Sequence, residues 1–436
     1  MGHLLKEIEA NFSDQDDFFI KEEQVNKTTI YLIGFKTLID LNKSKLYVKQ
    51  MAASSPSVKE LVTNLSDKTN VDRDQIINSI LEGKLVICLK NPQQNAIVDP
   101  IAHELRSSIE DPKNESPIQA AMDAFGEDIH INVGMIRKRL NSDRLCHYSY
   151  QIGDLEKRKI SMLYIKGKAS NSLTKNVDKQ LNQIKSDIEG IDSLNRHFGK
   201  RRFNPVSHFF PTELPTQAVQ SLKKNRIILF VDNLPFALTF PHLFWDMLTS
   251  ANDRNFPFIL TFMLRIFRVI GVMATLILPA LYVALVSVNP EVFRTDIALF
   301  TAESREGIPL SAFLETIVMV VIVDLILEAI TRLPKSVGPT VTMVGGIILG
   351  QAMVEAKLVS NLLVIVITAV VIASSTVVGM QNSLYIRLLK YPILILASIF
   401  GILGLCAGLV FTIIYLASLT SNNLPYITFS LDQKEV

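Results

Sequence analysis

The sequence predicts an α/β N-terminal region of two small cytoplasmic lobes, followed by an α-helical transmembrane domain of 4 to 5 spans. Two observations carry that expectation. The 436-residue chain is 48% hydrophobic with mean hydropathy +0.28, high for a soluble protein, and its long apolar runs lie almost entirely after residue 255. Before that point charged stretches alternate with short β-branched runs, the pattern of elements packed in water. The boundaries that follow are 1–140 for a first α/β lobe, 141–255 for a second lobe with pre-membrane strands, 256–420 for the helical membrane domain and 421–436 for a short tail.

In the first lobe, TTIYLIGF (Thr28 to Phe35) and KLVICLK (Lys84 to Lys90) are β-branched runs of strand length separated by polar, helix-like stretches. The second lobe repeats the design. KISMLYIKG (Lys159 to Gly167) precedes a segment in which Leu173, Val177, Leu181, Ile184 and Ile188 recur at spacings of three and four, the stripe of an amphipathic helix. RIILFVDNLPFALTF (Arg226 to Phe240) supplies two more strands around a turn at Asn233 and Pro235. The opening MGHLLKEIEANFSDQDDFF has no sustained apolar core, so no secretory signal is expected and the lobes are placed in the cytoplasm. Met1-Gly2 does not fit an N-myristoylation start, because position 6 is Lys6.

No Gly-rich phosphate loop, G-x-S-x-G elbow or H-E-x-x-H pair is present, so no catalytic residues are assigned and no enzyme is expected. Cys88, Cys146 and Cys406 are scattered, and the seven histidines show no ligand spacing, which leaves reduced thiols, no metal and no cofactor. The basic cluster RHFGKRR (Arg196 to Arg202) reads as a solvated linker or an anionic-lipid contact. A net charge of +2 does not offer the broad basic face that nucleic acid needs.

In FILTFMLRIFR, Thr261, Arg265 and Arg268 share one helical face, which suits either a helix lying in the lipid interface or the flank of a first span. Candidate spans follow at Val269–Val288, Pro309–Ile330, Val337–Val354, Leu358–Val378 and Tyr391–Leu419; the third is short and Gly-rich, a possible half-span. Arg254, Arg265 and Arg268 precede the first span, whereas acids dominate the next loop, which puts the N-terminal half inside. Arg332 with Lys335, and Arg387 with Lys390, agree with that orientation as cytoplasmic flanks if the third and fourth spans form a hairpin. Five full crossings would leave the tail outside, and one re-entrant segment would return it to the cytoplasm.

The second candidate span holds Glu315, Asp324 and Glu328, although an ionised Asp near the centre of a membrane helix costs roughly 3 kcal/mol. Asp324 and Glu328 share a face and Glu315 lies nearly opposite. Glu328 is positioned to pair with Arg332 at i,i+4. Asp324 has no partner on its own helix, so it reads equally as an intersubunit hydrogen-bonding group or as a cation-path residue. Glu315 and Glu328 are the further ion-path or gating candidates. In the third segment, Gly338, Thr342, Gly346 and Gly350 recur every four residues, a strip for close helix packing or for lining a pore between subunits. Arg265, Arg268 and Arg332 are the candidate interface or lipid contacts.

Several separated stretches together resemble the A subunit of the bacterial spore germinant receptors, the GerA family. They are FGEDIHINVGMIRKRL (Phe125 to Leu140), VDNLPFAL (Val231 to Leu238), LPALYVAL (Leu278 to Leu285), REGIPLSAFLE (Arg305 to Glu315) and LILEAITRLPKSVGPTVTMVGGIILGQAMVEAKLVS (Leu325 to Ser360). The chain departs from the pattern where T-E-R-P-D becomes TELPT (Thr212 to Thr216), where G-P becomes Ala120-Ala121, and where the Gly of V-D-G becomes Asn233. A late proline in the fourth segment is missing near Val378, and the proline-rich tail shrinks to NNLPYITFSLDQKEV. The resemblance implies a complex in the spore inner membrane with a transporter-like B subunit and a lipoprotein C subunit. It further implies a homo-oligomer around a cation path, released when nutrients are sensed. A nonconducting scaffold or signalling subunit is the alternative.

Overall fold

Each lobe of the N-terminal region is a five-stranded antiparallel sheet, and the two sheets have the same strand order. The computed structural model describes residues 3–25, 28–53, 68–69, 71–89, 95–101, 123–199, 204–250, 253, 255–333, 338–421 and 424–428, with backbone alone at 3, 52–53, 68, 338–342 and 344. Lys335, Arg254, Ala120 and Ala121 lie outside the described residues, as does part of the Arg196–Arg202 cluster.

The first sheet comprises β1 (Phe18–Val25), β2 (Thr28–Phe35), β3 (Lys68–Thr69), β4 (Leu85–Leu89) and β5 (Asn95–Val98), in the order β1-β2-β4-β5-β3. The second comprises β6 (Leu145–Ile152), β7 (Arg158–Ile165), β8 (Phe210–Thr212), β9 (Ile227–Val231) and β10 (Ala237–Phe240), in the order β6-β7-β9-β10-β8. A helix leads into each sheet, His3–Asn11 before β1 and Ile129–Arg139 before β6, so the second lobe repeats the first in its leading helix and its strand order. Central strands β4 and β9 are buried at every position, which explains their unbroken apolar runs, whereas edge strand β1 exposes Lys21, Glu22 and Gln24.

The Ile129–Arg139 helix packs Ile129, Val133 and Ile136 into one core with Leu145, Leu163, Ile228 and Phe230. It packs with the second sheet although it precedes the boundary expected at 140. The Asn171–Gln183 helix buries Leu173, Val177 and Leu181 as its stripe demands, while Ile184 and Ile188 are buried just beyond its end.

A helical unit begins at Leu243. Two stretches in it, Phe258–Val288 and Met380–Ser418, are long and apolar enough to cross a membrane. Asn361–Ser374 is apolar but short, and Ala312–Arg332 carries three acids, so two helical stretches among the described residues are long and apolar enough, against the 4 to 5 spans expected. The expected last span also changes form. Gly401 takes φ 63 and ψ −137, a backbone state reserved for glycine, and divides the 39-residue stretch into two arms. A Cβ on Gly404 would lie 2.0 Å from the Leu396 carbonyl oxygen, and one on Gly408 would lie 3.1 Å from Ile393 Cα. Those approaches require that the arm after Gly401 run back along the arm before it, an antiparallel hairpin closed through glycine.

Contacts within the unit fix which end of the hairpin lies where. Asn289, just past the first helix, accepts from Ile402 N (3.0 Å) and caps the returning arm at the hairpin tip. At the opposite end Val378 N donates to the Met247 carbonyl, Phe244 N to the Tyr426 carbonyl and the Trp245 indole to the Ile427 carbonyl. The hairpin therefore opens and closes at the Leu243–Leu248 end, and residues 424–427 return to that end.

Candidate functional site

The polar groups of the helical unit concentrate in a few buried pairs. Ser311 caps the Ala312–Arg332 helix by accepting from Leu314 N, and the helix ends in an extended Leu333, the residue before Pro334. Three turns in, Asp324 meets the first hairpin arm. Lys390 Nζ lies 2.9 Å from both carboxylate oxygens, and Tyr391 donates its hydroxyl to Oδ2 at 2.6 Å. The Lys390 side chain is 4% exposed and that of Asp324 22%, so the carboxylate is the half-open member of the pair. Removing either partner leaves a poorly solvated charge, which typically costs about 3–5 kcal/mol.

Glu315 is fully buried. Its Oε1 accepts from Ser360 N at 2.6 Å, and its Oε2 lies 3.3 Å from Arg305 Nε. Ser360 in turn caps the Asn361–Ser374 helix and hydrogen-bonds the Tyr282 hydroxyl at 2.9 Å. Glu315 thus ties three helices together at the end away from Leu243. Glu328 pairs with Arg332 at 2.8 Å on an exposed face, one turn apart as their spacing requires.

The first helix extends from Phe258, so FILTFMLRIFR is the start of that helix and not a separate segment. Arg268 forms a bidentate pair with the buried Asp253, Nη1 to Oδ2 at 2.6 Å and Nη2 to Oδ1 at 2.8 Å, and also donates to the Leu248 carbonyl. Arg265 lies 3.9 Å from the same carboxylate and remains half exposed. Burial alone would push the Asp253 carboxyl up; the Arg268 hydrogen bonds and charge outweigh it and hold the carboxyl below its ordinary value.

At Gly346 and Gly350 no described atom lies within 4 Å of the point where a Cβ would be. Gly338 and Thr342 have no described side-chain environment. Among the described residues no group of three or more His, Cys, Asp or Glu side chains converges to hold a metal ion.

In the α/β unit, Asp17 is buried where the lobes meet. It receives Arg137 Nε (2.7 Å) and Nη2 (2.5 Å), Thr37 Oγ1 (2.6 Å) and, at 3.2 Å, His147 Nδ1, while Arg137 Nη1 donates to Gln15. His147 N donates to the Asp14 carbonyl and Asp16 N to the His147 carbonyl, which adds residues 14–16 to the edge of β6 as a short extra strand. Burial would raise the Asp17 carboxyl, but the Arg137 guanidinium and His147 hold it far below the usual carboxylate range.

Comparison with known proteins places this arrangement. The family model for the Bacillus/Clostridium GerA spore germination protein matches residues 6–435. The chain belongs to the GerA spore germination family. Among GerA-family relatives, spore germination protein GerLA of Bacillus cereus is 33% identical over 354 residues, 81% of this chain and 72% of that protein. Spore germination protein A1 of Bacillus subtilis is 28% identical over 94% of this chain and 87% of its own length. An uncharacterized membrane protein of Bacillus subtilis, YfkQ, is 31% identical over 81% of this chain and 69% of its own. The N-terminal domain of the A subunit of the Bacillus megaterium spore germinant receptor GerK3, a crystal structure, aligns with TM-score 0.41 and 19% identity over 55% of this chain and 94% of that one.

Two features of this GerA-family chain differ from the sequence reading. Lys390 is not a cytoplasmic flank: its helix begins at Met380, and its ammonium is buried against Asp324. Arg268 serves Asp253, a neighbour that spacing along the chain does not reveal. Asn233 adopts φ 63, so the left-handed turn of the family's Gly is kept by a residue that tolerates it.

Proposed function

We propose that this chain is the A-type subunit of a nutrient-sensing germinant receptor in the inner membrane of dormant spores. Several copies assemble so that their helices surround a monovalent-cation path, and a transporter-like B subunit and a lipoprotein C subunit complete and gate the receptor. In this reading the helices from Phe258 onward and the Met380–Ser418 hairpin lie in the bilayer, with the lobes on the cytoplasmic side. No catalytic role is proposed.

The observation that carries the reading is Asp324, a half-open carboxylate midway along an apolar helix, held by a buried cation from another helix. Isolated carboxylates at such depth mark ion pathways or helix contacts. Open space over Gly346 and Gly350 supports assembly, because a small-residue strip suits the close approach of a helix from another copy. The nonconducting scaffold is the second reading, favoured by the fact that Glu315, Asp324 and Glu328 each have a basic partner in their own chain. Spores lacking the chain and complemented spores are compared for potassium release after a nutrient mixture. Loss on deletion and recovery on complementation support receptor function, and equal release refutes it.

A further inference from the structure

We infer that Lys390 is a tethered cation: in the resting arrangement its ammonium occupies the seat on Asp324 that a permeating monovalent cation takes when the path opens. The inference rests on the ion-path reading above and names the group that closes the path.

Geometry comes first. Nζ is equidistant from the two carboxylate oxygens, 2.9 Å from each, on the fork where a bare monovalent ion would also sit. An ammonium and a potassium ion carry the same charge and are close in size, so one can replace the other without rebuilding the carboxylate. Tyr391 holds Oδ2 independently at 2.6 Å, which keeps the carboxylate oriented after the ammonium leaves.

The pair is also built asymmetrically. A structural buried ammonium normally has all three of its donors satisfied. Lys390 is nearly fully buried, yet among the described residues the hydrogen bonds of its ammonium go to Asp324, with only the Tyr391 ring 5.4 Å away besides. Asp324 is the more exposed member of the pair, so a cation arriving from outside this chain's core meets the carboxylate before the ammonium. Lysine suits a displaceable role: it is a point charge on a flexible four-carbon stem, not a planar fork locked to its partner. Pro392, two residues on, removes an N–H from the helix ladder beside the tether and loosens it locally.

Charge closes the case. Arg387 lies one turn before Lys390 on the same arm; its charge acts on Lys390, and its Nε is buried without a hydrogen-bond partner. Arg387 and Lys390 thus put two positive charges within one turn of the same arm, and that charge repels cations while Lys390 is seated. When Lys390 swings out, Asp324 becomes an attractive site and the barrier falls.

The test uses spores carrying the full chain, matched for abundance by immunoblot, and reads potassium efflux without nutrient. Lys390→Met is expected to raise basal efflux about tenfold or more, a conservative figure for removing one unit charge beside an ion path, while Lys390→Arg stays tight. Unchanged basal efflux from Lys390→Met at matched abundance overturns the inference. If Lys390→Met does not accumulate, the neutral pair Asp324→Asn with Lys390→Met decides. Nutrient-triggered efflux slowed about tenfold then supports a carboxylate used by permeating cations, and wild-type efflux overturns it. Spores lacking the chain are run alongside; if they respond to nutrient as wild type does, the ion-path reading itself fails, whatever Lys390 does.

Discussion

Asp17→Asn replaces one oxygen of a buried carboxylate by an amide and leaves the shape nearly unchanged. Thr37 keeps an acceptor, but Arg137 loses its counter-ion while remaining 3% exposed, stacked 4.0 Å above the Phe35 ring. Breaking a buried pair from one side costs about 3–5 kcal/mol, and about 4 kcal/mol corresponds to roughly a thousandfold change in an opening equilibrium. The amides that should report it are those of Asp16 and His147, which join the lobes by donating to the His147 and Asp14 carbonyls respectively. Hydrogen exchange on the detergent-purified full chain should show protection at these two amides falling by about two to three decades, with little change in β4. A loss below about tenfold would refute the assignment of the lobe junction to this ion pair. The pH dependence has a definite sign. Asp17 is depressed in the folded state, so its contribution is complete above the ordinary carboxylate value of about 3.9 and is lost only as pH falls toward the far lower folded value. Its contribution is therefore the same at pH 5 and pH 8.

Other outcomes follow from single positions. Gly401→Ala incurs about 1–3 kcal/mol of backbone strain and places a Cβ 1.9 Å from Asn289 Oδ1, so thermal stability in detergent should fall clearly. Gly346→Leu meets open space and should leave the stability of a single chain unchanged while lowering the assembled fraction seen by cross-linking. Arg268→Ala should destabilise the start of the first helix by about 3–5 kcal/mol by stranding Asp253, with Arg268→Lys recovering only part, as measured by limited proteolysis near residue 253. Burial pushes the Cys88 thiol up to about 12, so at pH 8 it should alkylate at least about a thousandfold more slowly than a free thiol until the lobe is denatured.

Legibility in the sequence tracked burial. Runs such as TTIYLIGF and KISMLYIKG announce strands because both their faces are covered, and the stripe from Leu173 to Leu181 announces a helix because one face is. Strand β1, FFIKEEQV, carries its charges on an exposed edge and so looks like a loop. The basic run at the end of the Ile129–Arg139 helix resembles a surface boundary, yet Arg137 points inward to an acid 120 residues away. Long-range pairing of this kind leaves no trace in local spacing. The Glu328–Arg332 pair was legible because both charges lie on one helix; Lys390 was not, because a charge inside an apolar run looks the same in a loop as in a helix. Gly401 is likewise one of several glycines in its segment, and only its positive φ distinguishes a hairpin tip from a packing face.

The central claim is that Asp324 lies on a nutrient-triggered cation path. Potassium release after nutrient addition, compared between spores bearing wild-type chain and Asp324→Asn at equal abundance, tests it most directly. Slowed or abolished release is the predicted result. Release at the wild-type rate would contradict the account and leave the chain as a scaffold whose buried acids only hold its helices together.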